Sequence, residues 1–251
     1  HQLMVVLVTN EAELVDEPGL VAEIQAALPD LTSLILNYAP KKDYVLLSAN
    51  NRVLAGQPAI EDTLLGKKFL IGPNSFYQVN PVMTEKLYQK AADLADLKST
   101  DTVVDAYAGI GTIGISVADR VKEVIGVEVV PGAVVDAKQN LALNGIENAT
   151  YIERDAPDQF AEWQAEGIRP DVVFVDPPRR GLTPQLIEKT AQMGPDRVVY
   201  VSCNPVTAAR DVALFLDQGY KVKGPVVPVD QFPQTAHIET ITVLQKMNSA
   251  K

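Results

Sequence analysis

Apolar and polar positions change their period along this chain. Met4 to Val8 is an unbroken apolar run of strand length. Pro18-Gly19-Leu20 opens a short helix to Leu28, which Pro29 ends. Leu31 to Tyr38 reads as a second strand. Tyr44 to Leu47 and Arg52 to Leu54 read as a hairpin turning at Asn50-Asn51. A loop follows from Ile71 to Asn80. Asn80-Pro81 supplies a helix N-cap and a first-turn proline, and Met83, Leu87, Ala91 and Leu94 recur at helical spacing up to Leu97. After residue 100, strand and helix alternate regularly. Strands are expected at Thr102 to Asp105, Glu123 to Glu128, Thr150 to Glu153, Asp171 to Asp176 and Arg197 to Ser202. Runs such as Val172-Val173-Phe174-Val175 are apolar at every position, which predicts a parallel sheet covered by helices on both faces. Val222 to Val229 and His237 to Gln245 have no helix between them, so they should pair antiparallel.

This pattern predicts an α/β protein of two parts: a small α+β lobe over residues 1–70 and a larger unit over 71–251. A parallel sheet closed by an antiparallel hairpin is similar to the class I methyltransferase architecture, a Rossmann-like sheet. Composition narrows the function. The net charge is −10, and both parts are acidic, which counts against a strong nonspecific nucleic-acid binder but leaves room for a local basic patch. No apolar run is long enough to span a membrane, and the first eight residues read as a buried strand rather than a signal sequence. The expectation is a cytoplasmic monomer. The one cysteine, Cys203, excludes a disulfide framework, a zinc ribbon and a four-cysteine iron–sulfur cluster. No metal site is expected.

Four segments carry candidate chemistry. Asp105-Ala-Tyr107-Ala-Gly109-Ile-Gly111-Thr-Ile-Gly114 follows a strand and opens a helix, and Glu128 ends the next strand 19 residues after Gly109. Glycines there let a ligand approach the backbone, and the acid can accept both hydroxyls of a ribose. The spacing serves NAD or S-adenosylmethionine alike; Asp105 before the glycines and the terminal hairpin favour the latter. Asp176-Pro177-Pro178-Arg179-Arg180-Gly181 ends the fourth strand, at the edge where open sheets bind ligands. The prolines hold Asp176; the plainer reading is a turn with a solvated acid. Ser202-Cys203-Asn204-Pro205 ends the fifth strand on the same edge, so Cys203 is either a nucleophile or a small buried hydrophobe. His237-Ile-Glu239 begins the last strand, with His237, Glu239 and Ile241 on one face. Glu239 is a proton acceptor at the cleft rim or an exposed strand acid, and His237 packs or takes part in catalysis.

Taken together, Phe76-Tyr-Gln78-Val-Asn80, the Asp105 loop, Asp176-Pro-Pro-Arg179-Arg-Gly181-Leu182, Ser202-Cys203-Asn204-Pro205 and His237-Ile-Glu239 resemble the RNA 5-methyluridine methyltransferases. That family methylates uracil C5 in 23S ribosomal RNA and in the transfer RNA T-loop. The resemblance covers roughly residues 70 to 246 and implies S-adenosylmethionine as methyl donor. It implies that Cys203 is the nucleophile and Glu239 the general base. It implies that Gln78, Asp105, Tyr107, Gly109, Gly111, Glu128 and Asp176 surround the cofactor. Phe76, Gln78, Asp176 and Arg179 would meet the base. The family's upstream RNA-binding barrel and four-cysteine cluster have no counterpart in these residues. Residues 1–70 therefore read as part of the family's central domain, cut at its start and helping to shape an RNA cleft.

The implied partner is RNA, at a single-stranded or loop uridine, with 23S ribosomal RNA the first expectation and the T-loop the second. Uracil C5 is a weak nucleophile until a thiolate adds at C6, which explains a cysteine, and the C5 proton must later leave, which explains a carboxylate. Asp176 can accept the uracil N3–H that cytosine lacks, and Gln78 can donate to a carbonyl. Three other readings stay open. An amino-group methyltransferase acting on adenine or guanine would not need Cys203. A NAD-dependent oxidoreductase would use only the glycine loop. A non-catalytic RNA-binding or folding factor would keep the shape alone.

Overall fold

The computed structural model describes residues 2–40 and 47–247. The chain divides into two compact units, one of His1–Thr63 with Lys68–Tyr77 and one of Leu64–Lys67 with Gln78–Lys251.

In the first unit, β1 (Leu3–Thr9) pairs parallel with β2 (Leu31–Tyr38), and α1 (Glu17–Ala27) makes the crossover. Asp16 accepts from the Gly19 N–H and so caps α1. These three elements follow the apolar pattern closely. The expected hairpin does not. β3 (Asn51–Gly56) begins at the Asn pair and runs antiparallel to β2 itself, giving a three-stranded sheet of order β1-β2-β3. Tyr44 to Leu46 of the expected partner strand lie outside the described residues. β4 (Ile60–Leu64) and β5 (Lys67–Ile71) form a two-stranded sheet that the sequence pattern does not reveal. Its turn is Leu65-Gly66, with φ of 50° and 74°. Hairpin turns usually place Asn or Asp before the Gly in that left-handed region, and a leucine there hides the turn.

The second unit is built on one sheet. α2 (Pro81–Ala95) leads into β6 (Thr102–Asp105), α3 (Thr112–Val117), β7 (Glu123–Glu128), α4 (Pro131–Asn144), β8 (Ala149–Glu153), α5 (Ala156–Glu166) and β9 (Val172–Val175). It continues with α6 (Pro184–Met193), β10 (Arg197–Ser202), α7 (Pro205–Asp217), β11 (Tyr220–Val222), β12 (Val227–Val229) and β13 (Glu239–Lys246). The order is β11-β13-β10-β9-β6-β7-β8, with β12 also on β13. β6 to β10 are parallel, whereas β13 is antiparallel to β10, β11 and β12.

Two details differ from the sequence pattern. Val222 to Val229 is not one strand. Gly224 at φ +75° and Pro225 break it into β11 and β12, which share one edge of β13. β13 begins at Glu239 rather than His237, so these two residues do not share a strand face.

Val104, Val173, Val175, Val198, Tyr200 and Leu244 pack on one side of the sheet with Phe160 and Trp163 of α5, Leu186 of α6 and Phe215 of α7. Side chains alternate along a strand, so Asp105 and the positions after β9 and β10 face the opposite side with α2 and α3. At the base of this side, buried Arg197 donates to the carbonyl of Ala95 at 2.7 Å and to Asp101 at 2.7 Å. It thus satisfies the open carbonyl end of α2. Among the described residues, no helix is long and apolar enough to cross a membrane.

Candidate active site

The glycine loop lies between β6 and α3, as its sequence predicts, but its glycines have two different tasks. A side chain at Gly111 or Gly114 would meet the hydroxyl of Tyr151 at 2.7 and 2.8 Å. One at Gly126 would meet the same ring at 2.1 Å. These glycines make room for Tyr151 of β8, which donates to the Gly111 carbonyl at 3.3 Å. Gly109 is different: its φ is +53°, and a side chain there would meet nothing within 4 Å. It is the position open to a ligand. Glu128 fixes that turn, accepting from the Gly109 N–H at 2.9 Å and the Val130 N–H at 2.8 Å. Asp105 accepts from the Gly114 N–H at 3.0 Å through one oxygen, while its other oxygen is buried without a partner. Burial, opposed by that N–H and assisted by Glu128, raises the Asp105 carboxyl to about 7. Tyr107 and Glu128 line a cavity of about 30 Å³ with Arg154 and Asp155. The last two end β8 at the same sheet edge, and the sequence reading passed over them.

The reactive pair is set by strand register. In the antiparallel β10–β13 ladder, Ser202 stands opposite Thr240. Cys203 follows at the end of β10, next to the start of β13 at Glu239, whose side chain alternates onto the side away from the α5–α7 core. Val175 pairs with Tyr200 in the parallel β9–β10 ladder, so Asp176 leaves the neighbouring strand on the same side. The Ser202 hydroxyl clasps the backbone of Asn204, just past Cys203, donating to its carbonyl and accepting from its N–H at 3.1 Å each. Asn204 then caps α7 by accepting from the Val206 N–H.

Electrostatics confirm the grouping. The Cys203 thiol is pushed up by burial and by the charges of Glu239 and Asp176, with Arg179 opposing. Glu239, only 2% exposed and with one oxygen unpartnered, is raised by burial to about 7, again against Arg179. Asp176 is held well above the usual carboxylate range by burial, then by Glu239 and Asp105.

Arg179 joins this group through its backbone and its side chain. Its carbonyl accepts from Asn204 Nδ2 at 3.0 Å and from the Thr207 hydroxyl at 3.3 Å. Its guanidinium lies against the His237 ring, 3.1 Å from Nε2. His237 is exposed and lies beside Arg179. Gln78 is buried just ahead of α2, whose Tyr88 hydroxyl lies 3.4 Å from that of Thr112 at the start of α3. The adjacent Asn80 donates to the Gln231 carbonyl at 3.1 Å, and Gln231 donates to Thr84 at 2.8 Å. The Gln78 segment is thereby stitched to the loop that delivers Glu239. Phe76 belongs to the first unit and is 74% exposed.

Asp211 is a buried anchor beside the candidate site that the sequence pattern does not reveal. It is fully buried on α7 and accepts from the Leu182 N–H and the Tyr200 hydroxyl, each at 2.7 Å, and from Arg210 at 2.8 Å. It anchors the far end of the segment that carries Asp176 and Arg179. Gly181, at φ +76°, passes beneath it so closely that a Cβ would lie 2.4 Å from the carboxylate.

Comparison with known proteins identifies the family. The sequence signature of the family described as tRNA (Uracil-5-)-methyltransferase matches residues 44–247. An uncharacterized RNA methyltransferase of Lactiplantibacillus plantarum is 52% identical over 246 residues, covering 98% of this chain and 54% of the relative. One from Streptococcus mutans is 47% identical over 245 residues, with coverage of 98% and 54%. The chain thus spans about half the length of the curated relatives it matches. The structure of Pyrococcus abyssi tRNA (uracil-54, C5)-methyltransferase in complex with S-adenosyl-L-homocysteine matches with a TM-score of 0.78 at 30% identity, over 96% of this chain and 56% of that one. The structure of M. jannaschii tRNA m1G37 methyltransferase matches with a TM-score of 0.61 at 14% identity over 98% of this chain and 73% of that one, a likeness of fold alone. The mixed α/β fold with its largely parallel central sheet matches these methyltransferase structures, and the chain belongs to the tRNA (uracil-5-)-methyltransferase family.

Proposed function

We propose that this chain holds the catalytic unit of an enzyme that methylates C5 of a uridine in RNA, using S-adenosylmethionine. The observation that carries this reading is the meeting of Cys203 at the end of β10, Glu239 at the start of its partner strand β13 and Asp176 at the end of β9, with both carboxyl groups acting on the thiol. The methyl donor suits the residues present. Its ammonium is the kind of donor that the unpartnered, buried Asp105 oxygen needs. Its ribose hydroxyls suit Glu128, whose oxygens each accept one N–H and keep a second lone pair. The open side of Gly109 leaves space for it, and Tyr107 lines the adjoining cavity. When bound, it supplies the methyl group as an electrophilic sulfonium.

The chain's own residues do the rest. The Cys203 sulfur adds to C6 of the uracil as thiolate, and the electron pair moves to make C5 nucleophilic. Because burial and two carboxylates hold the free thiol neutral, the thiolate must form as the base arrives. After methylation C5 carries both CH₃ and H. Glu239 takes that proton as carboxylate, the C5–C6 double bond re-forms, and the sulfur leaves. Asp176 and Gln78 read the uracil edge, and Arg179 holds positive charge beside the reacting pair.

The target is a single-stranded or loop uridine. The motifs match enzymes of both 23S ribosomal RNA and the T-loop, and we place 23S ribosomal RNA first. The relation to the Pyrococcus tRNA (uracil-54, C5)-methyltransferase favours the T-loop as a second reading. Mapping 5-methyluridine in the RNA of a deletion strain separates the two. The mechanism is tested by Glu239→Gln, which should accumulate a methylated RNA–protein adduct joined through Cys203 and stable on a denaturing gel. Turnover of Glu239→Gln at the wild-type rate, or methylation by Cys203→Ala, would overturn it.

A further inference from the structure

The mechanism gives Arg179 a charge to hold beside the reacting pair, but Arg179 is exposed and burial does not fix its guanidinium. A side-chain contact does. Arg179 follows β9, which ends at Val175, and His237 precedes β13, which starts at Glu239. β10 lies between those two strands in the sheet. The contact therefore spans two strand spacings, about 10 Å, across the end of β10 where Cys203 stands. The backbone of Arg179 is pinned at that end too, its carbonyl accepting from Asn204 Nδ2 at 3.0 Å and from the Thr207 hydroxyl at 3.3 Å. Its Nη2 then reaches the His237 ring, 3.1 Å from Nε2 and closer still to Nδ1.

His237 is itself fastened. Its backbone N–H donates to the Thr235 hydroxyl at 3.1 Å, and that hydroxyl donates to the Phe232 carbonyl at 2.7 Å. The Phe232 ring meets the imidazole edge-on, with centroids 6.5 Å apart and planes at 87°. A guanidinium only donates, and it stays charged. The imidazole nitrogen that meets it must offer a lone pair, so His237 is neutral in this contact. A neutral acceptor holds the arginine and leaves its positive charge intact, whereas a carboxylate in that place would cancel it. We infer that His237 is a positioning residue that holds the Arg179 guanidinium over the end of β10, where its charge favours the sulfur anion of Cys203. The use of that charge rests on the site assignment given under the proposed function. Arg179 is the group that opposes Glu239 and Asp176 in their effect on the thiol.

Cys203 is the one cysteine of the chain, so its alkylation by iodoacetamide can be followed without RNA or cofactor. Only the thiolate reacts, and at fixed pH the rate reports how much of it the site sustains. His237→Phe keeps a ring against Phe232 but offers no acceptor. It should slow alkylation about 2–10-fold, the factor that one net hydrogen bond corresponds to. His237→Gln offers a carbonyl acceptor and should keep a rate close to wild type. Arg179→Ala should slow alkylation at least as much as His237→Phe, and adding His237→Phe to it should cost nothing further. With saturating S-adenosylmethionine, the single-turnover rate of adduct formation on a 5-fluorouridine RNA should rank the variants in the same order.

A His237→Phe protein alkylated at the wild-type rate overturns the inference. So does a His237→Gln protein as slow as His237→Phe, because the acceptor would then not matter. A further loss when His237→Phe is added to Arg179→Ala also overturns it, since the ring would act by a route other than Arg179. Should Arg179→Ala not fold, the two His237 variants decide alone. Adduct formation by the wild-type protein is the separate readout of the site itself. No adduct rejects the site assignment, and adduct with unchanged alkylation in His237→Phe rejects the positioning role alone.

Discussion

Replacing Asp211 with alanine removes the acceptor that holds the Asp176–Leu182 segment onto α7. The carboxylate is fully buried and takes three donors: the Leu182 N–H at 2.7 Å, the Tyr200 hydroxyl at 2.7 Å and the Arg210 side chain at 2.8 Å. Arg210 is half exposed and can turn to water. The Leu182 N–H and the Tyr200 hydroxyl cannot, and each buried donor left without a partner costs about 1–3 kcal/mol. Asp211→Ala should therefore destabilise the protein by about 2–6 kcal/mol. For a unit of this size that lowers Tm by roughly 2–4 °C per kcal/mol. Asp211→Asn keeps one carbonyl oxygen that can accept from both buried donors, so its cost should be nearer 1 kcal/mol. Urea unfolding of the three proteins measures the difference, with unchanged slopes showing that the midpoint shift reports stability. In the folded fraction, kcat should fall in Asp211→Ala while cofactor affinity holds, because Asp105, Gly109 and Glu128 lie on other strands. Equal costs for the alanine and asparagine variants, or a cost below about 0.5 kcal/mol for alanine, would show that this network does not hold the segment.

Gly181→Ala should disturb the same segment from the other side: its Cβ would sit 2.4 Å from Asp211 and at φ +76°, so a loss of about 1–3 kcal/mol is expected in thermal melts. Glu128→Gln should weaken S-adenosylmethionine about 10-fold or more by calorimetry, as a charge-assisted acceptor of two hydroxyls is lost. Stability should fall as pH rises from about 4.5 to about 7, because Asp105 and Glu239 keep protons in the folded state that the unfolded chain has released. Asp105→Asn should flatten that slope in urea titrations across the same range. The rate of C5 proton removal should climb through the same window, since Glu239 must be ionised to act, and Glu239→Gln should abolish the climb.

The sequence displays those features that repeat or that break a pattern. Valine-rich runs at Thr102–Asp105, Glu123–Glu128 and Arg197–Ser202 have the same bounds in the structure, because a strand buried on both faces has no polar position to blur its ends. Cys203, Asp176 and Glu239 stand out as reactive residues at the ends of apolar runs. Asp211 and Tyr88 do not, because an acid or a phenol on an amphipathic helix looks like surface or core. Only packing shows that each meets a loop distant in the chain. The glycine loop was half legible for a similar reason. A glycine announces that no side chain fits, but not whether protein or ligand takes the space. At Gly111, Gly114 and Gly126 the occupant is the Tyr151 ring, from a strand 25 to 40 residues further on. A Cβ at Gly109 would meet no protein atom within 4 Å, and Glu128, whose carboxylate fixes that turn, is the acid proposed to share the space with a ribose. The ligand signal therefore lies in one glycine and its acid, and the rest of the motif records how tightly the loop is seated on the sheet.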